Sequence, residues 1–292
     1  MSDALNDVKS LIPPSTHPDG VTRLDFIQTA VGVGFAAAVL PVSAQSISTP
    51  SDGLLTETVT LNINGTAVPM YRAQPLDGQN LPIVLVISEI FGVHEHIADV
   101  ARRFAQLGYM ALAPELFVRQ GNPRAYPVMA DLMTHIIRKT PDAEVMNDLD
   151  HVVKWAGQHG GDLNRLGLNG FCWGGRITWL YSAHNPQVKA GVAWYGRLEG
   201  DVSPMNPTHP IQVASILKTP VLGLYAGQDT GISLEAVERM KQALSQGTSK
   251  SEFVIYPNSS HAFHADYRPS YQTDDAKDGW LRCINWLKQH GV

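Results

Sequence analysis

The segment Gly170-Phe171-Cys172-Trp173-Gly174 sets a cysteine between two glycines, behind the apolar stretch Leu166 to Asn169. That is the form of a strand turning sharply into a helix with a nucleophile at the turn. Glycine is required at 170 and 174 because side chains there would collide with neighbouring backbone, and the residue at the turn is itself strained. A thiol at a helix start faces the positive end of the helix dipole, which favours thiolate. Asp229 ends the apolar run of TPVLGLYAGQDT and His261 follows that of FVIYPNSSHA, so both stand on loops after strands. An imidazole would keep the thiol ionised or take its proton and later protonate a leaving alkoxide; a carboxylate would fix the imidazole tautomer and stabilise the imidazolium. Singly, Cys172 reads as an inert buried thiol, Asp229 as a helix N-cap and His261 as a turn residue. Their order, nucleophile then acid then base, each past the end of a strand candidate, favours acyl transfer.

The elements that must position these groups are legible as an alternation. LLTETVTLNINGTAVPMYRA alternates apolar and polar residues on both sides of Asn64-Gly65, which predicts an antiparallel hairpin. Short apolar runs at Ile83 to Ser88, Tyr109 to Ala113, Arg165 to Gly170, Ala190 to Trp194, Val221 to Ala226 and Phe253 to Tyr256 read as buried parallel strands. Helical spacing marks Ile97 to Leu107, Ala143 to Gln158, Arg176 to Ala183, Leu234 to Leu244 and Asp274 to Gln289. Strands alternating with helices predict an α/β sandwich with helices on both faces, its reactive groups outside the carboxyl ends of the strands. One catalytic domain over residues 45–292 is expected, and the 201–210 stretch reads as a loop.

The chain resembles the dienelactone hydrolase family of α/β-hydrolases over about residues 54 to 290. The motifs are Ser88-Glu89-Ile90-Phe91-Gly92, Gly170-Phe171-Cys172-Trp173-Gly174-Gly175, Gly227-Gln228-Asp229 and His261-Ala262-Phe263. The resemblance implies an α/β-hydrolase fold, hydrolysis of an ester or lactone such as a dienelactone, and a Cys172, Asp229 and His261 triad. It also implies that Glu89 contacts the resting cysteine and is displaced by substrate, which helps form the thiolate. From chemistry alone, a carboxylate beside a thiol suppresses its ionisation until moved. The backbone N–H groups of Ile90 and Trp173 are the expected oxyanion hole. The family holds a substrate carboxylate with arginines, one shortly after the catalytic histidine; Arg268, at a longer spacing, is the candidate here, with a surface role as the alternative. Trp173, Trp194, Tyr195 and Phe263 are candidates to line an apolar pocket, or plain core.

With a net charge of -5 the chain offers no basic field for nucleic acid, so a small organic substrate is the expected partner. No cofactor is implied. His94-Glu95-His96 and His261-Ala262-Phe263-His264 lack zinc-site spacings, and no metal is expected. Cys283 falls on the apolar face of WLRCINWLKQH and reads as core. Two other classes stay open: a thiol redox protein using Cys172 with Cys283 as resolving partner, and a non-catalytic binding protein on the same scaffold. Residues 29–40 are apolar but too short to span a bilayer, and Val42 and Ala44 stand at export-cleavage spacing. Thr22 to Phe26 resembles a twin-arginine motif with Leu24 in place of the second arginine. Export with cleavage after Ala44 is the preferred expectation, a cytoplasmic protein with a disordered tail the alternative; a monomer is the default.

Overall fold

The computed structural model describes residues 46–292. The export signal expected within residues 1–44 lies outside the described residues. Strands β1 (Leu54–Ile63) and β2 (Thr66–Pro75) pair antiparallel. Their turn residues Asn64 and Gly65 take φ values of 52° and 85°, the left-handed pair that an Asn-Gly hairpin accommodates. β2 pairs antiparallel with β4 (Met110–Pro114). From there β3 (Leu81–Ile87), β5 (Gly161–Phe171), β6 (Val188–Trp194), β7 (Val221–Ala226) and β8 (Glu252–Tyr256) continue the sheet in parallel. The order across its eight strands is β1-β2-β4-β3-β5-β6-β7-β8.

The helices are α1 (Glu95–Gln106), α2 (Met129–His135), α3 (Asp142–Gln158), α4 (Trp173–His184), α5 (Pro210–Val213), α6 (Leu234–Leu244) and α7 (Thr273–Gln289). The period-2 rule sorts the central strands between two cores. Val84 and Val86 of β3 face one layer with Val100 and Phe104 of α1 and Ile284 and Leu287 of α7. Ile83, Leu85 and Ile87 face the other with Val145, Leu149 and Val152 of α3 and Ile177 of α4. Burial on both faces explains why these strands read as unbroken apolar runs. No helix among the described residues is long and apolar enough to cross a membrane.

Three local features depart from the expected elements. β5 begins at Gly161, because its first residues pair with Leu81 and Pro82 of β3 across an irregular register. α4 begins at Trp173, directly after the cysteine, three positions earlier than the apolar spacing suggested. Between β4 and α3 the chain forms α2 and two 3-10 turns, where no regular element was expected. Phe117, Met129, Leu132, Met133, Ile136 and Ile137 bury a small apolar cluster there against Ile90 and Phe91.

Candidate active site

The site gathers where β3, β5, β7 and β8 end. At the close of β5, Cys172 takes φ 53° and ψ −112°, strained for a side chain. Its N–H donates to the Trp194 carbonyl at 2.9 Å, which ties the turn to β6. Added Cβ atoms show why the flanking residues are glycine. At Gly170 one would lie 2.1 Å from the Gly174 oxygen, and at Gly174 one would lie 2.3 Å from the Ile87 oxygen. The cysteine is half-buried at the start of α4.

Asp229 is locked in its loop after β7. One carboxylate oxygen, Oδ1, accepts from the N–H groups of Gly231 and Ile232 at 2.8 and 3.1 Å. The other, Oδ2, lies 2.6 Å from Nδ1 of His261. Adjacent loops are laced together, with the Gly227 N–H on the Tyr256 carbonyl at 2.8 Å and the Gln228 N–H on the Ser259 carbonyl at 2.9 Å. His261 is buried, and its Nε2 has no hydrogen-bond partner among the described residues. Burial opposes its protonation, but the charges of Asp229 and Cys172 prevail and raise its pKa well above the ordinary imidazole value. The geometry thus brings the three sequence candidates to one place.

Glu89, just past β3, is buried. Burial alone would raise its pKa, yet His94, Arg268 and His96 around it hold the carboxyl below the usual carboxylate range. Its Oε2 accepts a hydrogen bond from the Tyr267 hydroxyl, and His94 Nε2 stands 3.6 Å from the same oxygen. Where the family resemblance implied contact with the cysteine, no hydrogen bond joins Glu89 to Cys172 among the described residues; the carboxylate is engaged by Tyr267 instead. Arg268 is partly buried, not a free surface residue. Its Nε donates to the Tyr267 hydroxyl at 3.2 Å, and its guanidinium lies 4.9 Å from the centre of the Phe91 ring. Neither the Ile90 nor the Trp173 backbone N–H has a backbone acceptor among the described residues, as an oxyanion hole requires.

The aromatic candidates divide. Tyr195 takes φ 38°, packs its ring at a tilt 5.0 Å from that of His261, and buries a hydroxyl with no partner among the described residues. Trp173 is partly buried and packs 4.6 Å from Phe117, beside the small cluster. Phe263 and Trp194 are core, not pocket wall. Both are fully buried and pack on each other at 5.9 Å, and the Trp194 indole donates to Asn169 at 2.8 Å. Cys283 is likewise fully buried, beside Asn169, and burial pushes its thiol pKa up. A separate cleft of about 550 Å³ is lined by Arg197, Thr230 and Ser233 among others, but not by Cys172 or His261.

Sequence reasoning did not foresee Tyr267, nor the pairing beneath it of His96 Nδ1 with Asp266 at 3.0 Å. The only signal was the density of histidines in His94-Glu95-His96 and in HAFHAD, weighed as metal sites. Among the described residues no three His, Cys, Asp or Glu are grouped to hold a metal ion.

A mostly parallel sheet, a strained elbow at a helix start and an acid and imidazole on the loops that follow define an α/β-hydrolase. The sequence profile of the dienelactone hydrolase family matches residues 68–291. A protein of Methylorubrum extorquens provisionally named carboxymethylenebutenolidase is 51% identical over 288 residues, covering 98% of each chain. One of Escherichia coli K12 with the same provisional name is 49% identical, covering 88% of this chain and 96% of that one. A crystal structure of a protein from Klebsiella pneumoniae, provisionally titled a dienelactone hydrolase, superimposes with a TM-score of 0.79 at 52% identity, covering 81% of this chain and 99% of that one. The chain belongs to the dienelactone hydrolase family, and is an ester or lactone hydrolase.

Proposed function

We propose that this hydrolase works by a cysteine nucleophile, Cys172, on a small ester or a dienelactone-type lactone, through a thioester intermediate. The observation that carries the reading is the Asp229 to His261 contact at 2.6 Å, with Nε2 of the same imidazole left unpaired and Cys172 among the groups acting on it. The thiol proton also needs an acceptor that substrate can bring into play. Glu89 is that acceptor. Substrate displaces it from Tyr267, it takes the proton from Sγ, and the thiolate attacks the carbonyl. The oxyanion forms against the N–H groups of Ile90 and Trp173, and His261 protonates the departing alkoxide. Water, deprotonated by His261, then hydrolyses the thioester. The relatives' provisional name, carboxymethylenebutenolidase, makes a carboxylated dienelactone the first substrate to try. Arg268 is the cation we assign to its carboxylate, since pairing there would draw Arg268 and Tyr267 away from Glu89.

The test is hydrolysis of p-nitrophenyl acetate and of a dienelactone by wild type and by Cys172→Ala, with mass spectrometry of the quenched enzyme. Loss of turnover in the variant and a covalent acyl mass on wild type are expected. Turnover at wild-type rate without the thiol would overturn the mechanism.

A further inference from the structure

The turn from Glu89 to Gly92 has two jobs in the reading above: its first residue moves when substrate arrives, while the next must hold its N–H on the oxyanion. The Gly92 N–H closes the turn on the Glu89 carbonyl at 3.4 Å, a long bond, and the Ile90 and Phe91 side chains pack in the small apolar cluster. Once Glu89 leaves Tyr267, the entry to the turn loses that tether. The exit is held from another part of the sheet. Glu115, directly after β4, is fastened to β2 through its own N–H, which donates to the Pro69 carbonyl at 2.8 Å. Its carboxylate fills the space that a side chain at residue 92 would take: a Cβ on Gly92, whose φ is 72°, would lie 2.6 Å from Oε2. The same carboxylate accepts from the Val93 N–H. Arg124 donates to the Val93 carbonyl at 2.8 Å and stands 3.5 Å from the Glu115 carboxylate. Burial raises the pKa of Glu115 against the pull of the Val93 N–H and Arg124, so a carboxyl at this place is costly and asks for a purpose.

We propose that Glu115 and Arg124 are positioning residues, a clasp on Val93 that keeps the Ile90 N–H on the oxyanion while Glu89 moves. The inference rests on the roles of Cys172, Glu89 and Ile90 in that reading and deepens it. The clasp grips both backbone groups of Val93 at once, the N–H by the carboxylate and the carbonyl by the guanidinium, which fixes the peptide planes on either side. Between Val93 and Ile90 stands Gly92 in the left-handed region, the residue with the least resistance to a change of backbone angle. Held at Val93, the turn transmits the position of the sheet to Ile90; released there, it swings about Gly92. The geometric demand is severe, because a misplacement of about 1 Å near the reacting atoms costs up to about 10²-fold in rate. Arg124 is itself set by its place in the 3-10 turn Pro123–Ala125, where its N–H donates to the Asn122 side chain at 3.0 Å. The segment between β4 and α3 thus reaches the site twice, through the apolar cluster under Ile90 and Phe91 and through this clasp.

The experiment compares wild type, Glu115→Ala, Glu115→Gln, Arg124→Met and the double variant of Glu115→Ala with Arg124→Met. It measures kcat and KM for p-nitrophenyl acetate, inhibition by trifluoroacetophenone, and the rate of Cys172 alkylation by iodoacetamide. Thiolate adds to the ketone carbon of trifluoroacetophenone and the carbonyl electron pair moves to oxygen, so that probe reports the oxyanion hole. Alkylation forms no oxyanion and reports the thiol alone. Glu115→Ala and Arg124→Met should each lower kcat and weaken the ketone about tenfold, short of the 10²–10³ for outright loss of a donor, with KM and alkylation within about twofold. Glu115→Gln keeps an oxygen for the Val93 N–H and should stay within about threefold of wild type. The double variant should fall no further than the weaker single one, since both act on one turn. Wild-type kcat and ketone inhibition in Glu115→Ala and Arg124→Met would overturn the clasp, as would losses that multiply in the double variant. Alkylation that slows in step with kcat would overturn it too, by placing the damage at Cys172. Arg124 has 44% of its side chain exposed, so Arg124→Met remains a folded test if Glu115→Ala does not fold. Turnover at wild-type rate by Cys172→Ala, or a wild type that the ketone does not inhibit, would overturn the underlying reading and the clasp with it.

Discussion

Asp229 and His261 meet through a single short contact, and the rest of the Asp229 carboxylate is spent on two backbone N–H groups. Asp229→Asn should therefore keep the loop but present an amide to Nδ1 and lose the charge that sustains the imidazolium. A fall in kcat of about 10³–10⁴ is expected, measured with the simple ester. The raised pKa of His261 has a definite sign for pH. Its stabilising share from Asp229 is fully present below the unfolded imidazole value and is lost as pH rises through the folded value. If its imidazolium protonates the alkoxide, acylation should decline over the same rise, seen as a basic limb in kcat/KM that Asp229→Asn moves to lower pH. Arg268 makes a different prediction because it acts on substrate charge. Arg268→Ala should raise KM about tenfold or more for a carboxylated lactone and leave that for p-nitrophenyl acetate within about twofold, read from parallel steady-state assays.

The elbow depends on close approach between elements. At Gly174 a methyl group would press on the Ile87 and Ser88 carbonyl oxygens, which belong to β3 and its exit and have no side-chain freedom to yield. Gly174→Ala should cost about 3 kcal/mol or prevent folding, measured by urea denaturation. The junction of α1 with the loop after His261 depends instead on charge. Burial would raise Asp266, but His96 and Arg103 lower its pKa to about 2. A depressed carboxyl contributes stability above its unfolded value of 3.8, and that share is lost as pH falls toward 2. Asp266→Asn should thus destabilise at neutral pH by about 3 kcal/mol, since it takes the carboxylate from buried His96 and leaves Arg103 with Asp99 alone. The difference from wild type should shrink in the most acid samples, as followed by circular dichroism.

Over the whole molecule, the chain ahead of β1 is fastened to α1 and to the site's back wall. The N–H groups of Ile47 and Thr49 donate to Asp266 and Asp99, Arg102 donates to the Thr49 carbonyl, and Gln106 to that of Pro50. A chain beginning at residue 52 loses these bonds, at about 0.5–1.5 kcal/mol each. It should melt several degrees below one beginning at residue 45, measured by calorimetry. Much of the remaining architecture was legible without coordinates. The runs at 83 to 87, 110 to 113 and 221 to 226 are buried on both faces, so their apolar character is continuous and short, which no amphipathic helix produces. The 115 to 140 segment was not legible, because its apolar residues follow no single period and become a cluster only by packing on Ile90 and Phe91. Phe263 was equally undecidable, since a wall residue and a core residue look alike until the loop's path is known.

Sequence by itself determined the α/β alternation, the elbow and the order of Cys172, Asp229 and His261, because strand periods, glycine at a crowded turn and loops after strands are local or near-local consequences of residue type. Only the tertiary structure decided the left-handed backbone of Tyr195 and Ala262, the grip of Tyr267 on Glu89 and the pairing of His96 with Asp266. Those features join groups as far apart in the chain as Glu89 and Tyr267, and their energies come from burial and from charges brought together by folding, which residue type and spacing do not encode.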